Sequence, residues 1–146
     1  MPGYYDSSLL LAAVLGQTDA VRFADAWDNE DNRLSSILLK AECITALRRA
    51  GLAQGSSPTS RWTRERVAAL DEYFDTVTFK FVDASVEEIV RREHLLAGCR
   101  TLDAIHLATA LHFQSHLADP LRICSLDHRF RQVAAKFGFT VLPREV

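Results

Sequence analysis

Four acidic residues in this sequence stand where a carboxylate is costly: Asp6, Glu42, Asp103 and Asp127. In "YYDSSLLLAAVL", Asp6 separates Tyr4-Tyr5 from Leu9-Leu10-Leu11. A carboxylate amid that much apolar surface costs several kcal/mol to desolvate unless it is paired, hydrogen-bonded or bound to a cation. Glu42 lies in "LLKAECITALRR" and Asp103 in "LDAIHLATAL", with Leu38, Ala41, Leu102, Ile105 and Ala108 around them, and Asp127 closes "LRICSLD". Each acid alone has a structural reading. Asp6 and Asp127 can cap helices, Glu42 can edge an apolar stripe, and the dipole of a helix starting at Thr101 favours Asp103 by ~0.3–1 kcal/mol. Together they imply different chemistry. Carboxylates converging to a few Å repel by about 4 kcal/mol per pair at an effective dielectric near 20. A hard divalent cation relieves that repulsion. Mg²⁺ prefers oxygen ligands, keeps several waters and takes one or two carboxylates directly.

The elements around these acids alternate. "GYYD" reads as a strand and "SSLLLAAVLG" as a helix stopped near Gly16. "TDAVRFADAWDN" reads as a helix with Thr18 at its N-cap, and "RLSSI" as a strand. "LLKAECITALRRAG" is a helix expected to end at Gly51, and "TRERVAALDEYFDTV" an amphipathic helix. "VTFKFVD" alternates as a strand does. Ser85 with Glu88 gives a capping-box signal for the helix "VEEIVRREHLLAG". Then come a long helix from Thr101, the strand "LRICSLD", the helix "HRFRQVAAKFG" and a last strand "FTVL". Strands alternating with helices predict an α/β fold with a parallel sheet covered on both faces. Ligands in such sheets bind beyond the carboxyl ends of the strands, where Asp6 and Asp127 fall.

With 146 residues the chain has room for one domain, residues 1–146, with a real core. The segment 53–61, "AQGSSPTSR", reads as an exposed loop within it. Hydrophobic residues at 48% and charged ones at 25% exclude disorder. No apolar run approaches the ~18 residues a membrane span needs, and the N-terminus is a poor signal peptide. Cys43, Cys99 and Cys124 are widely spaced and odd in number, which fits reduced thiols in a cytoplasmic protein. The net charge of −2 does not advertise nucleic-acid binding. Arginines nonetheless cluster locally, and Arg48-Arg49 and Arg100 lie close enough in sequence to Glu42 and Asp103 to reach phosphates. His112 and His116 have the i, i+4 spacing of a metal pair but lack a third ligand, and read as a solvated helix end. His106 reads as a packed or hydrogen-bonded histidine. Tyr4, Trp27, Trp62 and Tyr73 read as packing aromatics rather than base-stacking ones.

Taken in order and spacing, "YYDSSLLLAAVL", "LLKAECITALRR", "LDAIHLATAL" and "SLDHRF" resemble the PIN domain, and specifically VapC-type toxins of bacterial toxin–antitoxin pairs. The resemblance covers nearly the whole chain. It implies a three-layer α/β/α sandwich with a central parallel sheet, and Mg²⁺- or Mn²⁺-dependent ribonuclease activity. It places Asp6, Glu42, Asp103 and Asp127 on the family's four acids, with Asp6 and Asp103 holding the metal and Glu42 and Asp127 as further ligands or supports. Capping by Asp6 is then a secondary role at most. Ser125 matches a position that is often Thr in the family, and with Ser7 it is expected to hydrogen-bond the ligands or their waters. The implied reaction is in-line attack of an activated water on an RNA phosphodiester. The implied partners are an RNA substrate, a cognate antitoxin and a second copy of the chain, with the apolar helices at residues 9–15 and 18–27 supplying the dimer contact. Two alternatives remain open. One is a phosphoacceptor receiver-like module with Asp83 as acceptor, although Asp6 lacks the adjacent acid it would need. The other is an inactive PIN-like binding module.

Overall fold

A computed structural model describes residues 1–28 and 31–144. Five strands form one sheet: β1 (Pro2–Tyr5), β2 (Asn32–Ser36), β3 (Val77–Lys80), β4 (Arg122–Cys124) and β5 (Thr140–Leu142). Their order is β3-β2-β1-β4-β5, and every neighbouring pair is parallel. Among the described residues seven α-helices cover the sheet: α1 (Ser7–Val14), α2 (Ala20–Trp27), α3 (Leu38–Ala53), α4 (Arg61–Phe74), α5 (Ala84–Arg92), α6 (Thr101–Ser115) and α7 (His128–Lys136). This is the expected α/β/α sandwich around a parallel sheet. None of the helices is long and apolar enough to cross a membrane.

Strand pleating divides the core in two. Successive side chains leave a strand on opposite faces, so Tyr4 and Tyr5 belong to different layers. Tyr4 and Ile123 pack with Leu107, Ala108 and Phe130 of α6 and α7. Tyr5 and Cys124 pack with Leu9, Leu10, Trp27, Leu39 and Leu70 of α1 to α4. Near-continuous apolar strands are what a parallel sheet buried on both faces requires.

Several helix ends differ from their sequence signals. The cap of α2 is Asp19 rather than Thr18, because its carboxylate accepts the Arg22 N–H at 2.8 Å. The expected end of that helix at Asn29 lies outside the described residues. Asp83 caps α5 in place of Ser85, accepting from the backbone N–H groups of Ser85 and Val86 at 3.1 and 3.3 Å. In both cases a nearby Asp, one residue after Thr18 and two before Ser85, offers the stronger, charged acceptor. The cap position of α6 is Arg100, without a side-chain cap, and Thr101 is the first helical residue. The predicted long helix after Ser85 stops at Arg92, and His94–Gly98 forms a 3-10 turn. Gly51 does not end α3. A Cβ there would lie 3.1 Å from the Trp62 ring, so this glycine lets α3 and α4 approach, while Gly55 takes the left-handed turn at φ 83°.

The order of the strands determines where a site can form. The chain builds outward from β1 to β3, then returns to β4 on the opposite side of β1. The switch point therefore falls between β1 and β4, and the crevice beyond their carboxyl ends is where open α/β sheets bind ligands.

Candidate active site

Asp6 leaves the end of β1 at that crevice and is 7% exposed. It caps α1: Oδ1 accepts the Ser8 N–H at 3.1 Å and the Ser8 hydroxyl at 2.6 Å. Oδ2 accepts the Ser125 hydroxyl at 2.6 Å. The two serine oxygens accept in turn, Ser8 Oγ from the Leu126 N–H at 2.8 Å and Ser125 Oγ from the Asp127 N–H at 3.0 Å. One carboxylate thus ties the end of β1 to the loop after β4. Capping, assigned from the resemblance to a minor role, is a visible part of what Asp6 does. Burial pushes its pKa up to about 6 from 3.8, against the lowering effect of the Ser125 and Ser8 hydrogen bonds.

Asp127 is the N-cap of α7, its Oδ1 accepting the Phe130 N–H at 3.0 Å. Asp103 sits in the first turn of α6, half-buried, and makes no hydrogen bond among the described residues. Burial raises its pKa first, and the charges of Asp127 and Glu42 raise it further. Glu42, on α3, has a partly exposed carboxylate whose Oε1 is hydrogen-bonded to His106 Nε2. All four acids line one cavity of about 340 Å³ together with Ser7, Ser8, Arg100, Thr101, Leu102 and His106. A neighbouring groove of about 410 Å³ shares Ser7, Glu42 and Leu102 and runs along α3 to Arg49. Arg48 lines neither of these cavities.

Some participants escaped sequence reasoning. Ser8, rather than Ser7, is the serine of α1 that bonds Asp6, and the signal for it is that a hydroxyl two residues after a capping Asp is placed to meet it. Arg131, four residues after Asp127, donates from Nη1 to the Ser125 carbonyl at 2.7 Å and from Nη2 to the Pro143 carbonyl at 2.8 Å, holding the loop and the tail of β5. Nothing in the sequence announced the contact of Tyr4 with His106, whose ring nitrogen Nδ1 is 2.7 Å from the Tyr4 hydroxyl. His112 and His116 pack ring against ring, 4.6 Å between centroids, at the exposed end of α6. Tyr4 and Trp27 are core residues.

Fold and cleft together define a PIN domain: the family model matches residues 4–136, and the chain belongs to the PIN domain family. Among solved structures, a chain of VapBC2 from Rickettsia felis, bound to a DNA fragment from their promoter, aligns with a TM-score of 0.65 at 11% identity, covering 97% of each chain. At that identity the likeness speaks for the fold. No curated protein matches the sequence.

The donor chemistry of the cleft suits a hard divalent cation. Its acids offer only oxygen, and Asp103 faces the charges of Asp127 and Glu42 with no hydrogen bond to offset them. No group of three or more His, Cys, Asp or Glu side chains is gathered as a metal site among the described residues. The fit is therefore to a cation held directly by one or two carboxylates, with water completing its shell.

Proposed function

We propose that this chain is a Mg²⁺- or Mn²⁺-dependent endoribonuclease and the toxin of a toxin–antitoxin pair, working in the cytoplasm as one PIN-like unit over residues 1–146. The observation that carries the reading is the cleft itself, with four carboxylates around one cavity at the switch point and one of them, Asp103, pushed up in pKa by burial and by the charge of Asp127. Asp103 with Asp6 or Asp127 would hold the cation, and Glu42 would complete the acidic wall. When bound, the cation supplies charge neutralisation at the phosphodiester and acidifies a water for in-line attack. The protein's own part is positioning. Ser8 and Ser125 fix Asp6, the start of α7 fixes Asp127, and Arg100 at the rim offers a phosphate contact. Ser7 lines the cavity and is placed to meet a metal-bound water or the substrate.

The solved neighbour is a VapBC assembly, and the sequence resembles VapC-type toxins. Both support a cognate antitoxin as partner, and a homodimer belongs to the same reading. The receiver-like alternative loses its footing. Asp83 lies after the edge strand β3, its carboxylate taken up by Ser85, Val86 and Lys80, and it does not line the acidic cavity.

Purified protein incubated with total RNA and Mg²⁺ or Mn²⁺ should cleave it, and EDTA should stop the reaction. Asp103→Asn should remove at least two orders of magnitude of rate while the circular dichroism spectrum stays that of the folded chain. An Asp103→Asn protein that cuts at the wild-type rate would sink the proposal.

A further inference from the structure

We propose that Tyr4, His106 and Glu42 form a buried positioning relay in which the tyrosine sets the histidine tautomer and the histidine fixes the Glu42 carboxylate in the acidic cleft. Tyr4 has no exposed surface and His106 is 1% exposed, so each polar atom on them needs a partner within the protein. The Ser36 backbone N–H, which can only donate, points at the Tyr4 oxygen at 3.1 Å. That oxygen is therefore an acceptor there, and its own proton must go elsewhere. The hydroxyls of Ser35 and Thr109 also adjoin the phenol, and give their own protons to the carbonyls of Tyr5 and Ile105 at 2.6 and 2.7 Å. His106 Nδ1, 2.7 Å from the phenol oxygen, is the acceptor in hydrogen-bond geometry with it, and takes the proton in this arrangement.

A nitrogen that accepts carries no proton, so the ring's proton sits on Nε2. Nε2 is the atom bonded to Glu42 Oε1. The imidazole itself has little freedom. It stands edge-on to Tyr4 at 5.8 Å and to Phe130 at 6.3 Å between centroids. Glu42 Oε2 makes no hydrogen bond among the described residues and is left for the cleft. The relay joins β1, the end of β2, α6 and α3, so a long and otherwise mobile glutamate is held by the core rather than by its own helix. His106 touches the cavity wall but is 1% exposed, and in the relay it acts through Glu42.

The relay deepens the nuclease reading, since a fixed Glu42 matters for a cation and its waters, but its first test does not depend on that reading. Long-range ¹H–¹⁵N correlation of the His106 ring should show the neutral Nε2–H tautomer in the wild type, and Tyr4→Phe should lose that preference with its amide spectrum otherwise folded. Mn²⁺ titration followed by electron paramagnetic resonance supplies the second readout. His106→Leu should weaken binding about tenfold, as loss of a partner behind a metal ligand commonly does. His106→Gln, whose amide can still donate near the Nε2 position, should recover most of it. A wild-type ring that is doubly protonated or carries its proton on Nδ1 would overturn the relay. So would Mn²⁺ affinities that are the same in wild type, His106→Leu and Tyr4→Phe. If the wild type shows the tautomer and binds Mn²⁺ yet cuts no RNA, the nuclease reading fails and the relay stands.

Discussion

At Asp6 the burial of a carboxylate makes stability depend on pH. Its folded value of about 6 lies above the ordinary 3.8, so between those limits the folded chain holds a proton that the unfolded chain has released. That contribution is complete below 3.8 and is lost as pH rises through about 6. Asp6→Asn keeps the shape and cannot titrate. Without added metal, its stability relative to wild type should therefore rise across that window by about 1–3 kcal/mol, read from paired thermal melts. A difference that stays flat with pH would contradict the burial of the acid. Ser125→Ala strands Asp6 Oδ2 and the Asp127 N–H together, and should cost about 1–3 kcal/mol in urea unfolding. The misfit of Asp6 was legible because its sequence neighbours are apolar. The hydroxyls that reconcile it with burial were not, since Ser8 and Ser125 are 117 positions apart and a hydroxyl carries no sign of which acid it serves.

The helices and strands obey their sequence patterns in the interior and depart from them at the ends. Leu107 is fully buried on α6, between the sheet and the packing of Phe130 and Ile123. Leu107→Ala should cost 2–5 kcal/mol as a lower urea midpoint with unchanged slope, a range of about that size being usual for emptied leucine sites. A loss under about 1 kcal/mol would mean that the layer collapses around the gap. Interior residues were readable because period 2 and period 3.6 survive in a single sequence. Ends were less so. "TDAV" and "DASVEE" each offer two capping residues, and the choice between Thr18 and Asp19, or Ser85 and Asp83, is made by which side chain meets an exposed N–H. The 3-10 turn at His94–Gly98 continues the helical pattern in sequence, because its Leu95 and Leu96 extend the apolar count while the chain has already turned at Glu93.

For the whole molecule, a net charge of −2 means that the RNA binding proposed above would fall to local cations. Arg100 at the acidic cavity and Arg49 in the adjoining groove are the arginines placed for it. Single-stranded RNA should bind with a log–log salt slope of only about −1 to −2, at ~0.7 per phosphate contact. Arg49→Ala with Arg100→Ala should bring that slope near zero, which fluorescence anisotropy across a salt series would read. A steep slope surviving both changes would place the substrate on another face. Strand alternation foretold the parallel sheet and the edge where Asp6 and Asp127 would emerge. It could not foretell that α3 and α6 would bring Glu42 and Asp103 to the same cleft, since helix packing depends on the order in which strands join the sheet. The paired tyrosines of β1 add a safeguard. A slip of that strand by one residue would swap the two phenols between layers, taking Tyr4 from His106 and carrying Asp6 off its serines in the same stroke. A misthreaded copy would therefore lose its core packing and its acidic cleft together, so no half-folded chain could keep the cleft intact.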